Sequence, residues 1–296
     1  MAADDICEGP KTMRPTWDQI QREAYARWER RGYGHGGDRD DWLAAEIDLT
    51  FDLNFETVAE VAEGESQLSP RPARPRCRFC EQSAPRARFQ SDRPLLPPFL
   101  ASASPPAGDL CDECAEQFEA SIDRELKQFW EAFQPPHSTN GSNGTHPLSP
   151  SLPVGAYKGL IRIALMLLPE QELAAFTDTI EWIGNPDHEF DRRLFGGAGC
   201  LAYQLPWPRS LTRATLARRT DDDAPYPYML FFLMADRLVL QTYLPLCSHD
   251  EDLDGRDVEM PRRTFSEGFG SSPVECTLLP VQATTRPRTR RWRLFA

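Results

Sequence analysis

The sequence lacks an apolar stretch long enough to cross a bilayer. Its longest run, about Leu160 to Leu168, is interrupted by Arg162, against the roughly 20 apolar residues a spanning helix needs. The first ten residues, MAADDICEGP, are acidic and contain no apolar segment of the secretory type, so a cytoplasmic protein with no membrane partner is expected. Positive charge is also short. A formal net charge of −12 opposes phosphate backbones and argues against a nucleic-acid coat protein. Two nucleotide and acyl-transfer signatures are missing as well. Gly196-Gly197-Ala198-Gly199 has no strand before it that would make it a phosphate loop, and no Gly-x-Ser-x-Gly elbow occurs.

What is present is a chain of 296 residues with 40 % apolar residues and 27 prolines, many of them clustered. That composition predicts small folded units joined by proline-rich connections. The expected division is a helical hairpin at 14–62, a linker at 63–76, a cysteine-bearing module at 77–134 and a flexible linker at 135–154. A C-terminal α+β region at 155–285 and a basic tail at 286–296 follow. The fold class is α+β, multi-domain.

Local patterns place the elements. Thr16 with Gln19 forms a capping-box pair, and Trp17, Ile20, Ala24 and Trp28 recur at helical spacing through Arg31. Gly32 and Gly34 end that helix, and Asp38 can open a second. A hairpin of this size rarely stabilises itself. Cys114 to Phe133 reads as one helix with Phe118, Ile122, Leu126, Phe129 and Phe133 on a face. Lys158 to Leu168 reads as a buried helix, and Pro169 suits the first turn of another, carrying Leu173, Phe176, Ile180 and Ile183. Tyr228 to Met234 and Leu238 to Leu244 flank Ala235-Asp236-Arg237 and predict a β-hairpin. The acidic stretch Ser248 to Glu259 reads as a loop.

The informative cysteines are Cys77-Arg-Phe-Cys80 and Cys111-Asp-Glu-Cys114. A two-residue gap lets a tight turn aim two thiolates at one ion, and two such knuckles complete a tetrahedron. In a reducing compartment this spacing favours one structural Zn2+ per chain over disulfides. Four thiolates leave no open position for water or substrate. The thirty intervening residues leave room for a β-hairpin or loop before the second knuckle opens a helix, and knuckle, hairpin, then knuckle at a helix start is the plan of a treble clef.

The stretch CRFCEQSAPRARFQSDRPLLPPFLAS…LCDECAEQFEASIDRELKQF resembles the HNH endonuclease group, in the subset whose active-site hairpin is bracketed by two C-x2-C pairs. Phe79, Leu95-Leu96-Pro97, the CDEC knuckle, Phe118, Ile122 and Leu126 carry the resemblance, over about 55 residues. It implies a shared fold. The family's histidine base has no counterpart, because no histidine lies between Cys77 and Cys114. Asp92-Arg93 stands where the acidic-His pair would fall, Ala115 replaces the usual Asn or His, and arginine cannot act as a base at neutral pH. Separately, IQREAYARWERRGYGHGGDRDDWLAAEIDL resembles a short bacterial domain of unknown function. Tyr25, Trp28, Gly32, Gly36, Asp41, Trp42, Leu43, Ala45 and Glu46 match its pattern, and Glu23 departs from it.

Weaker candidates remain. Asp92 is a possible catalytic metal ligand, with His137 or His188 as a relocated base. Arg93 and the tail arginines Arg286, Arg288, Arg290, Arg291 and Arg293 around Trp292 could meet phosphates. Cys247-Ser-His249 beside Asp250, Glu251 and Asp252 could hold a metal, although a surface loop explains it more simply. Trp17, Trp28 and Trp42 are packing residues or, alternatively, a contact patch. Cys7, Cys200 and Cys276 are isolated, as expected of small apolar residues. The expectation is a zinc-binding protein with a degenerate HNH-type module, non-enzymatic, acting in binding or as an adaptor for a protein partner. The alternatives are a metal-dependent HNH-type DNA endonuclease and a non-cleaving nucleic-acid-binding protein.

Overall fold

A computed structural model describes residues 12–64, 75–90, 93–133, 151–185, 199–253, 258, 260–265, 274 and 276–282. The architecture is α+β: helices packed on both faces of a mixed sheet. No described helix is long and apolar enough to cross a membrane.

Helices α1 (Trp17–Arg30) and α2 (Asp38–Asn54) form the N-terminal hairpin. Thr16 caps α1, with the reciprocal Gln19 contact in place. The chain then passes directly into β1 (Phe55–Ala62), a strand the sequence reading places inside the hairpin unit. Its partner is β3 (Gly199–Arg219), 164 residues away at the first paired position, Phe55 with Arg219, and Glu63 lies just beyond the end of β1. That long separation hides β1 from local patterning. Residues Cys114 to Phe133 are two helices, not one: α3 (Asp112–Ala120) and α4 (Ile122–Phe133), broken at Ser121, whose φ of −124° and ψ of −95° leave the helical region. Phe118, Ile122, Leu126 and Phe129 are buried as expected. Leu152–Pro153, within the expected flexible linker, is the short strand β2, and Val154 already opens α5 (Val154–Leu167). A 3-10 segment (Glu170–Phe176) and α6 (Thr177–Gly184) follow.

The sheet is completed by β4 (Met229–Tyr243) and β5 (Cys276–Gln282). Fifteen residues extended throughout would span roughly 50 Å. Yet the Leu244 N–H donates to the Met229 carbonyl at 2.9 Å, so β4 turns back on itself near Asp236, a residue at φ 50°. The expected hairpin is therefore present as two arms of one strand. The register of β3 requires the same bend. Its residues 213–218 pair with 229–234, and its residues 201–204 pair with 238–241. The sheet thus runs β1, second arm of β3, the two arms of β4, first arm of β3, β5, β2. The last pair is parallel and the others are antiparallel.

The inside–outside alternation of the arms makes two cores. Met229, Phe231, Leu233, Leu238 and Leu240 face a layer that contains α5, α4, α3 and the cysteine module in one continuous cluster. Leu230, Phe232, Val239 and Tyr243 pack with Phe51 of α2 and Phe55 at the start of β1, together with Val258 and Met260. The three folded units expected from the sequence therefore share packed cores.

The acidic loop is also more than surface. Ser248–Leu253 forms a 3-10 turn. Asp250 is buried there, accepting from the Tyr228 backbone N–H at 3.0 Å and from Arg219 at 3.1 Å. Its neighbour Cys247 is buried, and His249 stacks on Tyr228 with ring centroids 4.2 Å apart. Asp250 thus ties the acidic turn to the core.

Candidate metal centre

The first knuckle is a tight turn, closed by a backbone bridge between Arg76 and Ser83 and by Glu81 N–H donating to the Cys77 carbonyl at 2.9 Å. Cys111 opens α3 as its N-cap, and the Cys114 N–H donates to the Cys111 sulfur at 3.4 Å. The C-x-x-C spacing thus has two local explanations, one a turn and the other a helix start. The segment between the knuckles, where a hairpin or a loop was expected, holds a single internal bridge, Pro94 to Pro106, among its described residues. Leu95 and Leu96 are buried below that bridge, and Phe79 meets Phe118 edge-on at 4.8 Å.

The two knuckles bring the sulfurs of Cys77, Cys80, Cys111 and Cys114 within 4.8 Å of one another. Cys80 and Cys111 are 3.6 Å apart. A tetrahedral ion with bonds of about 2.3 Å sets sulfurs about 3.8 Å apart, so the cage has the scale of a thiolate-bound zinc. Cys77 and Cys111 are buried, and Cys80 and Cys114 are partly so.

The protons on Cys77, Cys111 and Cys114 do not divide evenly. The Cys114 thiol donates to Cys77, which holds Cys77 down to about 5. That same bond, with burial, pushes Cys114 up, and burial pushes Cys111 up to about 12. One thiolate forms readily and its negative charge opposes the next. A divalent cation would relieve that opposition and stabilise all four in the form that binds. The donor set therefore fits zinc chemically as well as in scale.

The other expected site residues are placed less favourably for chemistry. Asp92 lies outside the described residues, as do His137, His146, His188 and the tail arginines. Arg93 lies against the module with a side chain 12 % exposed, pairing with Glu119 at 2.5 Å and approaching Asp112 at 3.8 Å. His35 is exposed in the turn between α1 and α2, and Ala115 is buried behind the second knuckle. Cys200 is buried, and its thiol is pushed up by burial, as is that of Cys276. Of the three hairpin tryptophans, Trp17 is 61 % exposed, lying against Trp42 at 5.3 Å. Trp28 sits between Tyr25 and Tyr33.

Sequence reading missed the polar residues that tie the module to the rest of the chain. Arg78, within the first knuckle, reaches Asp109 and the end of α5. Glu63 reaches Ser102 and Thr212. Neither carries a local signal, because their partners are separated from them by up to 149 residues.

A family described as "Protein of unknown function (DUF2934)" matches residues 15–50, which span α1 and most of α2. No curated protein and no solved structure matches the chain.

Proposed function

We propose that the chain holds one structural zinc ion through Cys77, Cys80, Cys111 and Cys114, and that it acts as a non-catalytic binding or adaptor protein built on that centre. The observation that carries this reading is the convergence of four sulfurs from two knuckles into one cage. Four thiolates saturate tetrahedral zinc and leave it structural. The module is read as a degenerate relative of the HNH treble clef, with knuckle, bridge and a second knuckle on a helix start in the expected order. Its lack of a histidine between the knuckles and the engagement of Arg93 by carboxylates support a role without phosphodiester cleavage. A cytoplasmic setting would keep the thiols reduced. The binding role rests on the hairpin, where Met13, Trp17, Tyr25 and Tyr33 are exposed large apolar side chains.

Elemental analysis of purified protein, beside a plasmid-nicking assay with added magnesium, tests both halves. The expected result is one zinc per chain, lost in Cys80→Ser together with the folded module, and intact plasmid. A stable zinc-free protein would overturn the metal reading. Magnesium-dependent nicking that follows the protein through purification would overturn the non-catalytic one.

A further inference from the structure

All fourteen residues of α5 are buried, including Lys158 and Arg162. A helix leaves its last four carbonyls and first four N–H groups without partners inside itself, and a buried helix cannot give them to water. Pro169 lies just beyond α5, after Leu168. The Leu168 carbonyl accepts from Arg78 Nη1 at 2.7 Å, and the Leu165 carbonyl, which also takes the Leu168 N–H at 3.2 Å, accepts from the same nitrogen. A cation at this end also complements the helix dipole.

Arg78 sits between two cage ligands, Cys77 and Cys80. Its other guanidinium nitrogens meet Asp109, two residues before Cys111, at 2.7 and 2.6 Å. The Arg78 backbone N–H also donates to the Asp109 carbonyl at 2.9 Å. One side chain therefore touches the first knuckle, the approach to the second and the end of α5. Two further charged contacts of α5 come from the same module, while Lys158 turns to α6, donating to the Asn185 carbonyl at 2.9 Å and lying over the Trp182 ring. Arg162 donates to Asp123 at 2.8 Å, and the Glu125 carboxylate lies over Gly155, so close that an added Cβ would stand 2.2 Å from it. On its opposite side α5 packs under the sheet, where the Tyr157 hydroxyl reaches the Tyr243 carbonyl at 3.4 Å.

We infer that Arg78 and Asp109 couple metal occupancy of the cysteine cage to the docking of α5, so that the zinc-loaded cage governs the order of the sheet well beyond the module. This rests on the zinc reading above. With the ion bound, the two knuckles are held at one separation, and Arg78 and Asp109 are held with them. With the ion removed, the knuckles can part, the Leu168 carbonyl loses the Arg78 guanidinium, and buried Arg162 depends on an α4 that is no longer anchored. A buried charge deprived of its partner is strongly destabilising. Arg78 is a positioning residue and not a ligand.

Hydrogen exchange on the full chain tests the coupling, read separately for the module (75–133), for α5 and for the arms of β4, before and after zinc is removed by a chelator. Zinc content is measured on the same samples. In the wild type, chelation should speed exchange by about tenfold or more in all three regions. Arg78→Ala should keep one zinc yet exchange fast in α5 while loaded, with little further change there on chelation. Arg78→Lys, which keeps a donor, should fall between the two. Arg88→Ala removes an exposed side chain 3.8 Å from Glu113 and should behave as wild type. Deprotection confined to 75–133 on chelation would overturn the coupling even where Arg78→Ala fails to fold, and so would an Arg78→Ala protein indistinguishable from wild type. Wild-type protein without zinc would sink the metal reading itself, and this inference with it.

Discussion

Glu63 lies just past the end of β1, and its carboxylate joins two segments distant in sequence. One oxygen accepts from the Ser102 N–H at 2.8 Å and from the Ser102 hydroxyl at 2.5 Å, and the other accepts from the Thr212 N–H at 3.3 Å. Its pKa is held below the ordinary value, first by the Ser102 hydroxyl and then by the backbone donors. A depressed folded value means that the contribution is fully present above the ordinary glutamate pKa. It is lost as pH falls through the folded one. Wild type should therefore be more stable than Glu63→Gln at neutral pH, by a modest margin because the group is open to water. The gap should close on acidification below about pH 4. Thermal melts of both proteins across pH 3 to 7 measure it, and a gap independent of pH would show that the carboxylate charge is not what Ser102 and Thr212 bind.

Between elements, α4 presents backbone to α5 at Gly159. A Cβ there would stand 2.9 Å from the Ile122 carbonyl oxygen and 3.0 Å from the Leu126 Cβ. In an exposed helix Gly→Ala gains up to about 1 kcal/mol. Here the obstructing atom is backbone, so the helices must part, and overpacking costs about 1–3 kcal/mol. The clash outweighs the propensity, and Gly159→Ala should lower stability in urea unfolding by about 1–2 kcal/mol. A more stable variant would show that the contact relaxes freely. The same elements show what sequence could reveal. α1 was legible because its capping box and apolar spacing are local. α2 and α5 were legible from their apolar residues alone, since Gly37 and not the expected Asp38 caps α2 and neither helix has a side-chain cap. The cage was legible because each knuckle is a four-residue pattern. β1 was not, since it follows α2 without a turn residue and finds its partner near the far end of β3. β3 was not, because Pro206 and Pro208 interrupt it and its arms pair with three different strands. The break at Ser121 carries no glycine or proline to announce it.

At the scale of the whole molecule the question is whether the hairpin folds with the rest or apart from it. Phe51 of α2 stacks on Phe55 at 5.0 Å and meets Phe232 of β4 edge-on at 5.6 Å. Arg263 lies over the Phe51 ring at 4.4 Å and pairs with Asp52. Asp48 accepts from Thr264 N–H at 2.9 Å and from Arg27 at 2.7 Å, so one carboxylate joins α1, α2 and the segment after residue 260. α1 contributes little core of its own: Ile20 is its one buried residue. A hairpin this thin depends on the sheet for its apolar contacts, and the sheet face depends on Phe51 and Phe55 for cover. Removing the Phe51 ring should then cost about 3–5 kcal/mol, the range for a buried phenylalanine cut to alanine. Because both sides lose contact, that cost should appear in one cooperative transition and not as a separate early melting of the hairpin. Calorimetry of Phe51→Ala beside wild type, with near-UV signals from the hairpin tryptophans followed in parallel, decides it. Coincident transitions shifted together to lower temperature are expected. An unshifted main transition, preceded by loss of the tryptophan signal alone, would mean that the hairpin is an independent unit resting on the sheet.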